Sequence, residues 1–366
     1  MNKTAALFRE AVSKYDSIAI YIPGSPDPDA IASAYAIKLV LQYLSIGSDI
    51  FAEKRLSLPQ NQAFIDKLKI PLIFGKEINH EKYKAYIVPD FQNNWIENIS
   101  DRIPCAAHID HHARSKNAVK ADFSLIRTDS GSTSTLVALI VKNLNIDFAE
   151  KDMVSMATAL TIGIYTDTDK YDNITSLDLE ALSFLSLFAD WSILQGISSI
   201  PISPETLLYY NKAIENEFVY KDWGFYGIGY VNAKNRDSIA IAADMVLDKS
   251  NHNTVAVFAV IENHNKKEMY LDVSLRSDNK SVDLNRVIKR ITPNGGGRRY
   301  KGAYQVKLDY FLNAPDRDML WKVIETTTIE TLSRSRDTLY ITGIEDIYSS
   351  IKNKVRSILK KDNDIS

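Results

Sequence analysis

The chain has 366 residues and a single cysteine, Cys105, so it cannot close an internal disulfide. That fits a reducing, cytoplasmic setting, and the expected place for such a thiol is a small buried position beside a strand. No apolar run is long enough to cross a bilayer. The first residues, Met1 to Ser17, read as a polar amphipathic helix without the apolar core of a signal peptide. A membrane partner is therefore not expected. Neither charge dominates: 44 Lys and Arg stand against 46 Asp and Glu, a net −2, and no basic block lies outside the C-terminal tail. A protein that grips long duplex nucleic acid needs many phosphate contacts, so that partner is not expected either. A short nucleotide stays within reach. Internal repeats and low-complexity segments are lacking too.

What is present is an ordinary globular composition, 45% hydrophobic and 25% charged, at a length that favours two domains. Residues 4–15 read as a helix and 17–23 as a first strand. Ala30 to Leu41 is apolar nearly all round, as in a helix buried against a sheet. Further strands are expected at 48–53, 70–74 and 85–89, a helix over 131–144, and residues 150–165 start as a helix with apolar spacing of three and four. Alternation of this kind implies a parallel sheet covered on both faces. Beyond about residue 190 the pattern changes. A Ser/Pro loop (198–204) and a polar helix (205–219) are followed by strand-like runs at 225–231, 254–261 and 269–275, then a helix at 283–291. The expected fold is α/β: a parallel-sheet N-terminal domain plus a smaller α/β C-terminal domain. The expected boundaries are 1–190, a helical connector 191–220, 221–315, and a helical extension 316–366.

Asp110-His111-His112 is the most informative feature, because acids follow three other apolar runs. Ser17 to Pro23 leads into Gly24-Ser25-Pro26-Asp27-Pro28-Asp29. Ala85 to Val88 stops at Pro89-Asp90. Ala106 to Ile109 stops at the Asp110 triplet, and Thr161 to Tyr165 stops at Thr166-Asp167-Thr168-Asp169. In an open parallel sheet, ligands bind beyond the carboxyl ends of the strands. Acids collected there suit Mg²⁺ or Mn²⁺, and imidazoles shift the choice toward Mn²⁺. One D-x-D after a strand is more often a solvated turn. Four such segments in order are much harder to produce by chance.

The set resembles the DHH phosphoesterase superfamily with its DHH-associated C-terminal domain, in the branch of RecJ-like nano-RNases, pAp phosphatases and cyclic-di-AMP phosphodiesterases. The resemblance spans roughly residues 15 to 310. It implies an active site in the cleft between a catalytic and a substrate-binding domain, with one or two divalent cations, Mn²⁺ foremost. By resemblance Asp90 bridges two metals, Asp29, His111 and Asp167 complete one, and Asp27 serves the other. Asp110 would orient a ring, and His112 would face the scissile phosphate as hydrogen-bond donor or leaving-group acid. Arg276-Ser277 matches a substrate-contacting pair. Gly295-Gly296-Gly297 followed by Arg298-Arg299 resembles the family's G-G-G-H, with arginine where the histidine stands. Glycines let phosphate approach backbone N–H groups, and arginine offers a fixed fork to its oxygens. The implied activity is a cytoplasmic Mn²⁺-dependent phosphohydrolase for nano-RNA, pAp, or linear or cyclic dinucleotides. A homodimer is compatible with that picture.

Two departures keep alternatives open. Where the family has a histidine before the first acidic motif, this chain has Pro23, which cannot bind a metal. Waters, single-metal catalysis, or a substitute such as His108 would each answer that gap; His108 is equally read as a core histidine. Asp169 stands where the family commonly has glycine, as a further ligand or a turn acid. With Pro23 and Arg298 both replacing histidines, a nucleotide-binding sensor with impaired catalysis is the second reading, and an inorganic polyphosphate or pyrophosphate hydrolase the third. Ser132 to Ser134 either donate hydroxyls near the site or simply cap a helix. With 19 tyrosines in the chain, no single base-stacking residue can be picked.

Overall fold

Ile18, Ile20 and Ile22 of the first strand face one apolar cluster, while Ala19 and Tyr21 face another. A strand that buries both faces belongs inside a covered sheet, and this is why it reads as one continuous apolar run. The computed structural model describes residues 2–338 apart from 57, 76–77, 80, 113–117, 199–201, 264–266 and 294. The chain forms two compact units that divide between residues 201 and 202.

The first unit runs α1 (Asn2–Val12), β1 (Ser17–Ile22), α2 (Pro28–Tyr43), β2 (Gly47–Ala52), α3 (Pro59–Leu68), β3 (Leu72–Phe74), β4 (Ala85–Pro89), β5 (Cys105–Asp110), β6 (Ala121–Ile126), α4 (Thr133–Asn143), α5 (Glu150–Asp167), α6 (Ser176–Leu185) and α7 (Trp191–Ser198). Its six strands are all parallel, in the order β3-β2-β1-β4-β5-β6. The order reverses between β1 and β4, the point where open α/β sheets leave a crevice at the strands' carboxyl ends. Proline at the first position of α2 and Asp27 as its N-cap start that helix abruptly after β1. α2 packs on α4 and α5 and is buried along most of its length.

The second unit runs α8 (Pro204–Glu215), β7 (Glu217–Tyr220), β8 (Trp223–Asn232), α9 (Asp237–Lys249), β9 (Thr254–Asn263), β10 (Glu268–Ser277), α10 (Leu284–Ile291), β11 (Gly296–Gly297) and β12 (Lys301–Lys307). Its sheet, ordered β11-β12-β10-β9-β8-β7, is antiparallel except for the β8–β9 pair. Ile239, Ala242 and Val246 of α9 cover one face, and Leu284, Val287 and Ile288 of α10 the other.

Several expectations need correction. Thr161–Tyr165, the fourth apolar run before an acid, closes the helix expected over 150–165, so unlike the other three runs it is no strand and Asp167 ends α5. The helix expected over 205–219 stops at Glu215, and 217–220 is a strand. The stretch read as a connector is not one body: α7 packs with α3 and α5, while α8 packs with α9 and β8. A helix over 317–338 places Leu320, Ile324 and Leu332 in the second unit's core, so this part of the extension belongs to that core. The rest of the extension, 339–366, lies outside the described residues. Cys105 is buried in β5, where burial pushes its thiol up to about 11. Among the described residues no helix is long and apolar enough to cross a membrane.

Candidate metal centre

Three loops leave the first sheet near its switch point, and each delivers one part of a cluster. Asp29 sits in the first turn of α2, Asp90 directly follows β4, and His111 directly follows β5. Asp167, at the end of α5, is the fourth member. Ligand atoms of these four residues all lie within 4.8 Å of one another. His111 Nε2 is 3.1 Å from Asp167 Oδ2 and 3.6 Å from Asp90 Oδ1. A second group, Asp90, Asp110, His111 and His112, meets the same criterion and shares Asp90 and His111 with the first.

The backbone pays attention to these side chains. Asp90 has φ +54, a left-handed conformation uncommon for a residue with a Cβ, while its N–H still bonds the carbonyl of Ile109 at 2.9 Å. Three consecutive residues after Asp167's helix, Asp169, Lys170 and Tyr171, also have positive φ. Asp29 is fully buried and receives the N–H groups of Thr133 (2.7 Å) and Ser134 (2.8 Å), the open donors at the start of α4. Burial, and then the negative charges of Asp90 and Asp167, nevertheless hold its carboxyl well above the usual range. The segment before α4 holds the imidazole: His111 Nδ1 lies 3.3 Å from the Ser130 carbonyl. A proton on Nδ1 donated there leaves Nε2 toward the carboxylates.

Asp110 and His112 form a pair beside this cluster. Asp110 Oδ1 accepts from His112 Nδ1 at 2.9 Å and from the His112 N–H at 3.1 Å. Burial, the largest single influence, opposes the Asp110 charge, but the hydrogen bonds and charge of His112, with the charge of His111, together outweigh it and leave the carboxyl below its usual range. Its Oδ2 is buried and meets no hydrogen-bond donor among the described residues. Crowded carboxylates and an acceptor without a donor are what a divalent cation resolves. Three carboxylates and an imidazole fit such an ion, and Asp29, Asp90, His111 and Asp167 are the residues to hold it.

Asp27 is not part of either group; it is exposed, and its Oδ1 caps α2 by accepting from the Ala30 N–H at 2.9 Å. His108 is fully buried in β5 and meets the Phe91 carbonyl through Nε2 at 2.7 Å, outside both groups. Asp169 bonds Asn173 at 2.8 Å in a turn. Ser132 caps α4, accepting from the Thr135 N–H, and Thr133 donates its hydroxyl to Asp90 Oδ1 at 2.9 Å, so that hydroxyl run both caps and reaches the cluster. Asp178 was missed. Fully buried, it takes the Gly131 N–H at 3.1 Å and the Thr135 hydroxyl, which anchors the segment that grips Asp29 and His111. Its spacing from Thr175 signals a capping box on α6 and nothing more.

In the second unit, the three glycines form a tight hairpin arm. β11 pairs with β12, and the Arg298 N–H closes the turn on the Lys301 carbonyl at 2.7 Å. A Cβ on Gly297 would run into the Lys301 and Gly302 backbone, so only glycine allows this approach. Gly295 meets Ile288 and Tyr304 as closely, while Gly296 has more room. Arg298 is half-buried, and Arg299 is exposed with Nη2 on the Lys280 carbonyl at 2.6 Å. Arg276 is buried at the end of β10. Its Nε bonds Asp244 at 2.6 Å, and its Nη1 and Nη2 reach the carbonyls of Leu275 and Ala240. Ser277 pairs its hydroxyl with Thr254 (2.7 Å), and its N–H bonds the Tyr300 carbonyl (2.9 Å), tying β10 to the hairpin.

Residues 17–164 match the DHH family, N-terminal domain, and residues 224–314 match the DHHA1 domain. The chain is 30% identical over 304 residues to uncharacterized protein MJ1633 of Methanocaldococcus jannaschii, a match taking in 82% of this chain and 60% of the relative's length. It is similar in fold to an exopolyphosphatase-related protein from Bacteroides fragilis, with a TM-score of 0.65 at 17% identity, covering 93% of this chain and 98% of that one. A pGpG-specific phosphodiesterase from Vibrio matches over 85% of this chain and 98% of its own at 13% identity, with a TM-score of 0.35. With both matched domains in order and the acidic and imidazole groups gathered at the sheet's switch point, the chain belongs to the DHH phosphoesterase superfamily.

Proposed function

We propose that this phosphoesterase is Mn²⁺-dependent and hydrolyses short phosphorylated nucleotides: nano-RNA fragments, pAp, or linear or cyclic dinucleotides. The observation that carries the reading is the convergence of Asp29, Asp90, His111 and Asp167 within 4.8 Å. Three carboxylates with one imidazole favour Mn²⁺ over Mg²⁺. When bound, the cation supplies Lewis acidity, offsetting phosphate charge and making water a stronger nucleophile near neutral pH. The chain's own residues do the rest. Asp110 fixes the His112 ring through Nδ1. As the imidazolium, the ring also carries a proton on the opposite nitrogen, Nε2, and donates it to a phosphoryl or leaving oxygen. His112 keeps about a quarter of its side chain exposed, which suits a group that meets substrate.

In the second unit, the glycine hairpin with Arg298 and Arg299 is read as a seat for a non-reacting phosphate. Arg276, engaged by Asp244, pairs in register with Lys301 of β12 at the end of that hairpin. The near-neutral charge of the chain, −2, suits a short substrate better than a long polyanion. The two ligand groups share Asp90 and His111 and neither includes Asp27, which suits a single well-held cation. That intact set also speaks against a sensor with impaired catalysis.

Turnover tests the reading. Purified protein with Mn²⁺ is incubated separately with pApA, pAp, cyclic-di-AMP and pyrophosphate. Release of nucleoside monophosphate or of phosphate from a nucleotide is expected. Cleavage of pyrophosphate alone moves the assignment to the inorganic substrate, and nucleotide binding without product moves it to the sensor.

A further inference from the structure

The first residue of α4 touches two of the cluster's carboxylates with two different atoms. The Thr133 N–H donates to Asp29 Oδ2 at 2.7 Å, and the Thr133 hydroxyl donates to Asp90 Oδ1 at 2.9 Å. Thr133 is fully buried, so neither donor has water as a ready alternative. We propose that Thr133 is a positioning residue of the metal centre, locking Asp90 against Asp29 through one rigid side chain. The proposal rests on the reading of Asp29, Asp90, His111 and Asp167 as cation ligands.

The need for such a lock follows from Asp90 itself. It lies just past β4 with a left-handed backbone, where its carboxylate direction depends on side-chain partners. Asp90 Oδ1 is also the atom that faces His111 Nε2 at 3.6 Å and His112 Nδ1 at 3.8 Å. Its orientation therefore sets the geometry toward both imidazoles. A β-branched residue suits the task, because branching at Cβ restricts χ1 and keeps the hydroxyl aimed. The N-terminal position suits it too, since the first N–H groups of a helix have no acceptor within the helix. The segment is further held by Asp178 through Gly131 and Thr135. Supporting hydrogen bonds of this kind typically change metal affinity 10–100-fold when lost.

The test is a Mn²⁺ titration of the full chain, followed by electron paramagnetic resonance of the unbound ion, beside thermal melts in EDTA. Thr133→Val removes the hydroxyl at nearly constant shape. Thr133→Ala removes it with a good helix former, should the valine variant fold poorly. Thr133→Ser restores the donor without the methyl. Deletion of the hydroxyl is expected to raise the Mn²⁺ dissociation constant roughly 10–100-fold, with metal-free melting temperatures close to wild type and serine recovering most of the affinity. Wild-type affinity in the deletion variants overturns the proposal. So does a serine variant as weak as valine, or weakened binding matched by a lowered metal-free melting temperature, which would mark a structural role only. A wild-type chain that binds no Mn²⁺ overturns the reading of the centre itself, and this inference with it.

Discussion

The carboxyl end of the first sheet and the hairpin of the second unit solve opposite problems. In the first, acidic side chains are crowded, and Asp29 is held above the normal carboxylate range by burial and by Asp90 and Asp167. In the second, side chains are withheld: three glycines in succession let backbone approach backbone, and the charge nearby is cationic, from Arg298, Arg299 and Lys301. In the proposed reading, one region is completed by a cation and the other receives an anion. The contrast teaches that the two recognition tasks are met by different resources. Titratable side chains at a switch point do the first, and backbone geometry does the second.

The sharpest way to break that contrast is Asp90→Asn. Asparagine tolerates the left-handed backbone at this position, which alanine would not. It should weaken Mn²⁺ binding by more than ~100-fold, beyond the usual effect of a supporting residue, and abolish hydrolysis. Because a repelling charge is removed, the metal-free variant should melt no lower than wild type. Retained Mn²⁺ affinity would mean that Asp90 is no ligand.

Gly297→Ala probes the other region. The added Cβ meets backbone rather than a flexible side chain, so a cost of about 1–3 kcal/mol is expected from overpacking. Urea unfolding should show it, while the Mn²⁺ affinity of the folded protein stays at the wild-type value. A parallel loss of metal affinity would show that the two regions are not independent.

Asp29 allows a test by pH in the metal-stripped protein. Its folded pKa is raised above the unfolded carboxylate value, so the folded state holds its proton more tightly. The contribution of Asp29 to stability is therefore least unfavourable at low pH. It declines as pH rises from the ordinary carboxylate range through the raised folded value. Asp29→Asn removes that dependence. Melting temperatures in EDTA from pH 4 to 8 should shift progressively in the variant's favour. A difference that does not change with pH would refute the crowding argument.

The smallest effect is expected at Asp27→Ala. Loss of the cap on α2 should cost about 1 kcal/mol, and Mn²⁺ affinity should change little. A large loss of affinity would return Asp27 to the ligand set, and with it the case for a second cation.

Much of this was legible in the residues. Runs such as Ser17–Ile22 announce a doubly covered parallel strand because both faces are apolar, and Asp90 and His111 sit where such strands end. Asp167 was legible as an acid just beyond the helix expected over 150–165, although the run Thr161–Tyr165 taken alone is too short to reveal its period. Asp27 looked equivalent to Asp29 two positions away. The difference is angular: the N-cap turns its carboxylate to the helix's own N–H groups, whereas Asp29, two residues on within the first turn, faces α4. Asp178 and Ser130 act through a buried side chain and a carbonyl from distant positions, and no local pattern marks them. The edge strands β6 and β7, and β12 beside the two-residue β11, escaped notice because half-exposed strands mix polar with apolar residues.

The lone thiol gives the molecule a built-in clock. Cys105 lies in a central strand of the first sheet, fully enclosed, with its proton held up to about 11. Alkylating reagents need an accessible thiolate. With no other cysteine in the chain, the rate of labelling in native buffer counts openings of the first unit alone, with the second contributing no background. Slowing of that rate by added Mn²⁺ would convert ligand binding at the strand ends into a directly timed breathing motion of the sheet beneath them.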